Sequence, residues 1–399
     1  MLAGKGITLG ITGGIAAYKG ADIASRLVKE GAVVRVVMTR SACRFIGEAT
    51  IEALTGGPVY TELFDGPEGW LIPHIKLARE ADLVLIAPAT ANIIGKAAHG
   101  LADDLLSTVL LAATCPVVIC PAMNVHMYQH KVVQDNLKRL GQLGYHIIEP
   151  DEGRLACGDT GRGRLPDPSC IVDRVAAVAA CGGKKDYSGL TVLVTAGPTR
   201  EAIDPVRYIS NHSSGKMGYA LAKAAAARGA RVILVSGQTA LTPPCGVEFV
   251  QVDSALDMYN AVLEYYPAAD VAIKAAAVAD YRPARAAGQK IKKKDTQLSL
   301  ELEKNVDILY ELGKVKNGKI LVGFAAETED LVNNARDKVL KKNLDFIVAN
   351  DVTRAGAGFG SDTNLAQLIY PDGRIKSLEL MSKLALGHRI LDEIAALRL

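Results

Sequence analysis

Short apolar runs alternate with longer amphipathic ones along almost the whole chain. The runs Ile7–Ile11, Val33–Met38, Leu83–Ala87 and Val117–Cys120 are rich in Val, Ile and Leu and are bounded by Gly, Pro or Thr, the pattern of buried strands. Between them, Ala17–Glu30, Ala91–Ala98 and Val132–Leu140 carry apolar residues at helical spacing, and each stops at a glycine: Gly31, Gly100 and Gly141. Glycine is the usual residue just past a helix end. Strands alternating with helices of this length predict a doubly wound parallel sheet. The pattern then restarts. Thr191–Thr195, Tyr219–Arg228 and Val232–Val235 repeat the strand, helix and strand of Ile7–Thr39. Further strands are predicted over Val271–Ala276, Leu321–Ala325 and Phe346–Ala349, with helices over Leu331–Lys342 and Met381–Leu397.

The expected architecture is α/β, with two doubly wound parallel-sheet domains of Rossmann/flavodoxin-like type at 1–187 and 188–399. The stretch Ala176–Tyr187, with its Cys-Gly-Gly-Lys-Lys-Asp, reads as the linker. At 399 residues the chain is long enough for two cores, and 49% hydrophobic with 22% charged residues excludes a disordered chain. Residues 1–186 carry 19 basic and 19 acidic side chains, so the whole formal charge of +3 lies beyond them. Such a balance gives no basic face for nucleic acid.

The seven cysteines are scattered and never spaced Cys-x-x-Cys, so no zinc site is expected, and a reducing cytoplasm suits the chain. Leu105–Gln129 lacks Asp, Glu, Lys and Arg and is long enough to span a bilayer. Pro116 and Pro121 would break a helix there, so it reads as a helix, Leu105–Thr114, followed by the strand Val117–Cys120. A soluble, cytoplasmic protein without a membrane partner is expected.

Three strand ends carry candidate chemistry. Thr12-Gly13-Gly14-Ile15 follows the first strand, where glycine lets backbone amides approach a phosphate at a helix N-terminus. Taken alone, this is a tight turn. Thr39 ends the second strand in place of the acid that grips a dinucleotide ribose, which favours a mononucleotide such as FMN over NAD. Ala87-Pro88-Ala89-Thr90-Ala91-Asn92 and Pro121-Ala122-Met123-Asn124 end two more strands on small, hydroxyl or amide residues. His74 is a candidate general base. Cys157 lies in a loop, 153–164, rich in glycine and arginine, where its thiolate is favoured. In the second half, Ser210–Gly218 has the composition of a phosphate-binding loop without the Walker spacing. Asp280, Lys290 and the pair Lys338/Lys342 are candidates for Mg²⁺ and a triphosphate. The stretch Asp280–Asn305, basic around Lys290, Lys292, Lys293 and Lys294, reads as a mobile loop or hairpin.

The first group of motifs, with Ala156-Cys157-Gly158, resembles the flavin-dependent phosphopantothenoylcysteine decarboxylases. The second group resembles phosphopantothenate–cysteine ligase, through Thr195–Glu201, Asp204–Gly218 and Ala276–Arg282. Together they resemble the bacterial bifunctional enzymes of coenzyme A synthesis over nearly the whole chain. That resemblance implies ligation of cysteine to 4′-phosphopantothenate by CTP through an acyl-cytidylate, then decarboxylation to 4′-phosphopantetheine with FMN. It implies oxidation of the substrate thiol to a thioaldehyde, loss of CO₂, and reduction of the resulting enethiolate.

For FMN the resemblance implies Gly13, Gly14, Ile15, Thr39, Ala89, Thr90, Asn92, Ser107, Ala122 and Met123. His74 would be the base, Asn124 the holder of the substrate carboxylate and Cys157 the proton donor. Asn211 would contact the acyl intermediate. Lys274, Ala275, Ala276, Asp280, Lys290, Val306, Asp307, Ile308, Leu309, Phe324, Lys338 and Lys342 would form the CTP site, with Asp280 toward Mg²⁺. Lys274 stands where the family has a small residue and Val306 where it has proline. The implied assembly is a homo-oligomer, with trimeric decarboxylase units linked by ligase dimers. Two other readings stand beside this one: an NAD(P)-dependent oxidoreductase with two Rossmann-like domains, and a flavin-binding scaffold without catalysis.

Overall fold

The structure, a computed structural model, describes residues 2–64, 72–292, 298–327, 331–351 and 360–398. The chain divides into two compact units, Met1–Lys185 and Asp186–Leu399.

In the first unit six strands form one parallel sheet: β1 Gly6–Ile11, β2 Val33–Met38, β3 Val59–Tyr60, β4 Leu83–Ala89, β5 Val117–Pro121 and β6 His146–Ile147. Their order is β3-β2-β1-β4-β5-β6. β1 and β4 are buried along their whole length, as strands covered by helices on both faces must be. The helix Ala17–Lys29 turns Gly20, Ile23, Ala24 and Leu27 inward. Ile23 and Leu27 are fully buried, worth roughly 1.5–3 kcal/mol each. At Gly20 a Cβ would lie 2.8 Å from Ile11 Cδ1, so glycine sets how closely helix and strand meet. The chain runs outward from β1 in one direction and from β4 in the other. Their carboxyl ends therefore open the crevice where such sheets bind ligands.

The segment read as a polar loop, 153–164, is instead an antiparallel hairpin of β7 Asp151–Arg154 and β8 Thr160–Arg164. The expected linker also differs. Its first residues complete the helix Pro168–Ala180, and the Lys185 ammonium donates to the Tyr145 carbonyl.

The second unit introduces β9 Thr191–Ala196, β10 Arg200–Ala202, β11 Tyr208–Ser210, β12 Arg231–Ser236, β13 Glu248–Gln251, β14 Val271–Lys274, β15 Tyr281–Pro283 and β16 Leu302–Lys304. It continues with β17 Ile320–Glu327, β18 Phe346–Asp351, β19 Thr363–Asn364, β20 Ala366–Ile369, β21 Ile375–Ser377 and β22 Met381–Ser382. The main sheet has the order β13-β12-β9-β14-β17-β18-β20-β21. Its first six strands are parallel, and β20 and β21 add antiparallel to that edge. The turn 371–374 is too short for a parallel crossover, which needs a dozen or more residues. Direction reverses between β9 and β14, so their carboxyl ends form this unit's crevice. The helix Lys216–Ala227 packs on β9 through Gly218, where a Cβ would lie 2.5 Å from Ala196 Cβ. The basic stretch is partly a hairpin, with β15 pairing β16; Lys293 and Lys294 lie outside the described residues. Among the described residues no helix is long and apolar enough to cross a membrane.

Candidate functional sites at two sheet crevices

Two cavities, of about 630 and 670 Å³, open at the carboxyl ends of β1, β4 and β5 and share Gly13, Thr90, Ala91 and Met127. The first is the more polar of the two, with Thr39, Ser41, Asn92 and Lys96 on its walls. The second is more apolar, lined by Ile15, Pro88, Ala122, Met123, Leu155 and Leu165. Thr12 braces the junction: its hydroxyl donates to the Pro88 carbonyl at 2.8 Å and accepts from the Thr90 amide at 3.0 Å. At Gly13 a Cβ would lie 2.3 Å from Ser41 Cβ, whereas at Gly14 only Thr90 Cγ2, at 3.8 Å, comes within 4 Å. The turn is therefore closed on one side and open on the other, a cradle ahead of the first-turn amides of the helix Ala17–Lys29. A polar half joined to an apolar half fits a phosphorylated ligand with a flat ring, as FMN is.

Most residues expected at this site line it. Ala89 and Ser107 do not. Ala89 is buried in β4 and its carbonyl accepts from the Ala122 amide at 3.0 Å. Ser107 is buried in the cap of the helix Leu105–Ala112, its amide and hydroxyl each 2.8 Å from Asp104 Oδ1. Burial pushes the Asp104 carboxyl up, but Lys96 at 2.6 Å and the Ser107 bonds outweigh it and hold the carboxyl below its usual range. Lys96 also pairs with Asp103 at 2.7 Å and so fixes the polar wall; nothing in its sequence context marks it out.

The β7–β8 hairpin covers the apolar cavity. At Gly163 a Cβ would lie 2.3 Å from the Met123 carbonyl oxygen, and at Gly161 2.7 Å from Val125 Cγ2. The Met123 amide donates to the Gly163 carbonyl at 3.0 Å. This docking brings Cys157 to Asn124. The Asn124 amide nitrogen lies 3.2 Å from Cys157 Sγ and donates to Asp159 Oδ2 at 2.7 Å, and the Cys157 thiol donates to the same Oδ2 at 3.3 Å. Asn124 Oδ1 caps the next helix by accepting from the His126 amide at 2.8 Å. The Asn124 amide, then the Cys157 thiol, hold the Asp159 carboxyl below its usual range. Sequence reasoning found Asn124 and Cys157 and missed Asp159. The thiolate expected from the arginines meets a carboxylate instead, and that contact is a hydrogen bond only with the proton on sulfur.

His74 stands apart from this group. It lies in the first turn of the helix Pro73–Arg79, lines neither cavity, and has a buried Nδ1 without a hydrogen-bond partner among the described residues.

In the second unit a cleft of about 420 Å³ opens at the ends of β14, β17 and β18. Asn211, Ala275, Ala276 and Phe324 line it, with Ser213, Ser214, Gly215 and Lys216 at the start of the helix Lys216–Ala227. The Asn211 amide donates to the Val278 carbonyl at 3.0 Å. Outside the cleft's lining, Lys342 pairs with Asp307 at 2.9 Å. Burial pushes the Lys274 ammonium down to about 7, with Asp307 opposing the shift and Lys342 adding to it. Ile308 and Leu309 are core residues, whereas Asp280, Lys290 and Val306 are exposed. The Lys342 amide donates to the Lys338 carbonyl, so these two lysines stand one turn apart. Among the described residues no three His, Cys, Asp or Glu side chains gather as a metal site.

Residues 1–180 match the family model described as Flavoprotein, and residues 187–397 the model described as DFP, the DNA/pantothenate metabolism flavoprotein C-terminal domain. The chain is 53% identical over 398 residues to the coenzyme A biosynthesis bifunctional protein CoaBC of Bacillus subtilis (strain 168), covering 100% of this chain and 98% of that protein. It is 48% identical over 397 residues to the CoaBC protein of Escherichia coli (strain K12), covering 98% and 97%. A solved C-terminal domain of a CoaBC protein is 45% identical, covers 54% of this chain and 98% of that one, and superposes with a TM-score of 0.47. The nicotinamide oxidoreductase reading is overturned by these matches.

Proposed function

The chain belongs to the family of coenzyme A biosynthesis bifunctional proteins, and from that membership we propose how its own residues divide two reactions. Residues 188–399 join cysteine to 4′-phosphopantothenate at the expense of CTP. Residues 1–187 hold FMN and decarboxylate the 4′-phosphopantothenoylcysteine that results. The meeting of Asn124 and Cys157 at the mouth of the apolar cavity carries this reading.

When bound, FMN supplies a two-electron acceptor and donor. The chain supplies the rest. Gly13, Gly14 and Ile15 cradle the phosphate end, Thr39, Thr90 and Asn92 line the polar half, and Ala122 and Met123 flank the ring. Asn124 holds the substrate carboxylate, a role supported by the 2.7 Å bond its amide already gives to a carboxylate. Cys157 delivers the last proton to carbon. His74 takes the first proton, and because it lines neither cavity it reaches the substrate from a second copy of the chain. Exposed Ile72 and Ile75 beside it, with Phe64 before it, give that contact an apolar surface. The assembly is a homo-oligomer of trimeric decarboxylase units linked by ligase dimers.

In the ligase half, Ser213, Ser214 and the helix start suit the substrate phosphate, and Asn211 contacts the acyl group. The acid's carboxylate attacks CTP, pyrophosphate leaves, and the cysteine amine then displaces CMP. Ala275, Ala276 and Phe324 flank the nucleotide, Lys338 and Lys342 face its phosphates, and Lys290 closes over them. Asp280 completes the shell of a Mg²⁺ carried mainly by the triphosphate, as that ion is usually held. The reactions belong in the cytoplasm, where thiols stay reduced.

The test is direct. Full-length protein, purified yellow, is given 4′-phosphopantothenate, cysteine and Mg²⁺ with CTP, with ATP or with neither. Formation of 4′-phosphopantetheine and CMP only with CTP is expected. Equal product with ATP overturns the nucleotide assignment, and product from a protein stripped of FMN overturns the flavin assignment.

A further inference from the structure

The structure assigns Asp159 a role in decarboxylation: we infer that it is the positioning residue that keeps the hydrogen on Cys157 and holds the thiol beside Asn124 until the final proton transfer. The inference rests on the reading of Cys157 as proton donor.

A single oxygen organises the group. Asp159 Oδ2 accepts from the Asn124 amide at 2.7 Å and from the Cys157 thiol at 3.3 Å. The two donors come from different elements, one capping the helix Val125–Gln129 and the other at the hairpin tip. The hairpin tip that carries the carboxylate is held by backbone bonds. The Leu155 amide donates to the Asp159 carbonyl at 2.8 Å, and the Gly158 amide donates to the Leu155 carbonyl at 3.0 Å. Gly158 sits at φ +94°, a left-handed conformation that glycine adopts without strain.

The surrounding charge makes such a group necessary. Arg154, Arg164 and Lys19 line the same cavity, Arg162 stands on β8, and His126 follows on the adjoining helix. Cations near a thiol draw off its proton, and a thiolate has none to give. Asp159 places a negative charge 3.3 Å from the sulfur, and a like charge disfavours ionisation. Asp159 touches neither substrate nor cofactor in this role. It acts through Cys157.

Alkylation of Cys157 by iodoacetamide, read by mass in full-length FMN-bound protein, measures the thiolate without relying on turnover. At pH 7 Asp159→Asn should react measurably faster than wild type, because the negative charge beside the sulfur is gone. At about pH 10, where an ordinary thiol is already ionised, the two should react alike. Asp159→Glu should stay near wild type at both. Equal rates at pH 7 overturn the proposal. A faster Asp159→Asn reaction at both pH values also overturns it, because the hairpin has then opened and the role is merely structural. Should either happen while Cys157→Ser still blocks product formation, the donor role of Cys157 stands and only the role of Asp159 falls.

Discussion

The amide nitrogen of Asn124 and the sulfur of Cys157 lie 3.2 Å apart across 33 residues of sequence. No strand pairing with the main sheet holds them there. The contact depends on how closely a glycine-bearing hairpin lies on the strand-end turn 123–125, and that closeness is testable.

Gly163→Ala would set a Cβ 2.3 Å from the Met123 carbonyl oxygen, a backbone atom that cannot step aside. The hairpin must lift, and Cys157 moves off Asn124. A misplacement of about 1 Å in a reacting group costs on the order of 10²-fold in rate. Decarboxylation of supplied 4′-phosphopantothenoylcysteine should fall by that amount, with cysteine ligation unchanged and flavin still bound. Decarboxylation at the wild-type rate would show that the docking is not needed.

His146 makes the first unit acid-sensitive. It is buried on β6 with Nε2 3.2 Å from the Gly183 carbonyl, and burial, then Lys185 and Arg174, push its imidazole down to about 4. The unfolded chain takes up that proton near 6.5, so the unfolded state binds more protons between the two values. Stability is therefore full above about 6.5 and falls as pH drops toward 4, by at most roughly 3 kcal/mol. Urea titrations followed by flavin release at pH 7, 5.5 and 4.5 should show this slope in wild type and a flatter one in His146→Asn. Parallel slopes would remove His146 as the cause.

The parallel strands are legible where burial on both faces writes them as unbroken apolar runs: Leu83–Ala87 reads as a strand in the sequence, and β4, Leu83–Ala89, is buried throughout. The hairpin 151–164 is not legible, since its glycines and arginines show no alternation and its place is fixed by close backbone approach to Met123. β20 and β21 escape for a related reason, being short edge strands around a tight turn. At the site, Asn124 and Cys157 stand in recognisable motifs, but Asp159 is one acid in a polar loop until the fold aims it. Ser107 shows the opposite: the resemblance implies it for FMN, yet its polar groups are taken up by the Asp104 cap.

Lys290 lies on a loop whose base is pinned. The Ile291 amide donates to Asp204 Oδ2 at 3.1 Å, and Arg207, which pairs with Asp204, donates to the Ile291 carbonyl at 3.1 Å. Lys290 itself is exposed, and the role proposed for it is to close over the triphosphate. Lys290→Gln should lower acyl-cytidylate formation by on the order of 10²-fold, the scale of losing one electrostatic stabiliser. Decarboxylation should be unaffected. Equal loss of both activities would place the defect in folding or assembly.

The final prediction separates His74 from Cys157 and asks which chain each acts from. Serine is a far weaker acid than a thiol, so Cys157→Ser should oxidise substrate and release CO₂ but stall at the last protonation. Its flavin band should stay bleached under anaerobic conditions while an enethiol product accumulates. His74→Asn should block the first step and leave the flavin yellow. Neither variant alone should make 4′-phosphopantetheine. When the two are mixed and allowed to exchange subunits, a site can pair the intact Cys157 of one copy with the intact His74 of another. Random exchange makes about a quarter of the sites complete, because each closed interface draws on two copies. Recovery of that fraction of wild-type decarboxylation is expected, rising with exchange time. If the exchanged mixture stays as inactive as its parents, His74 acts within its own chain and the assembly proposed for it fails.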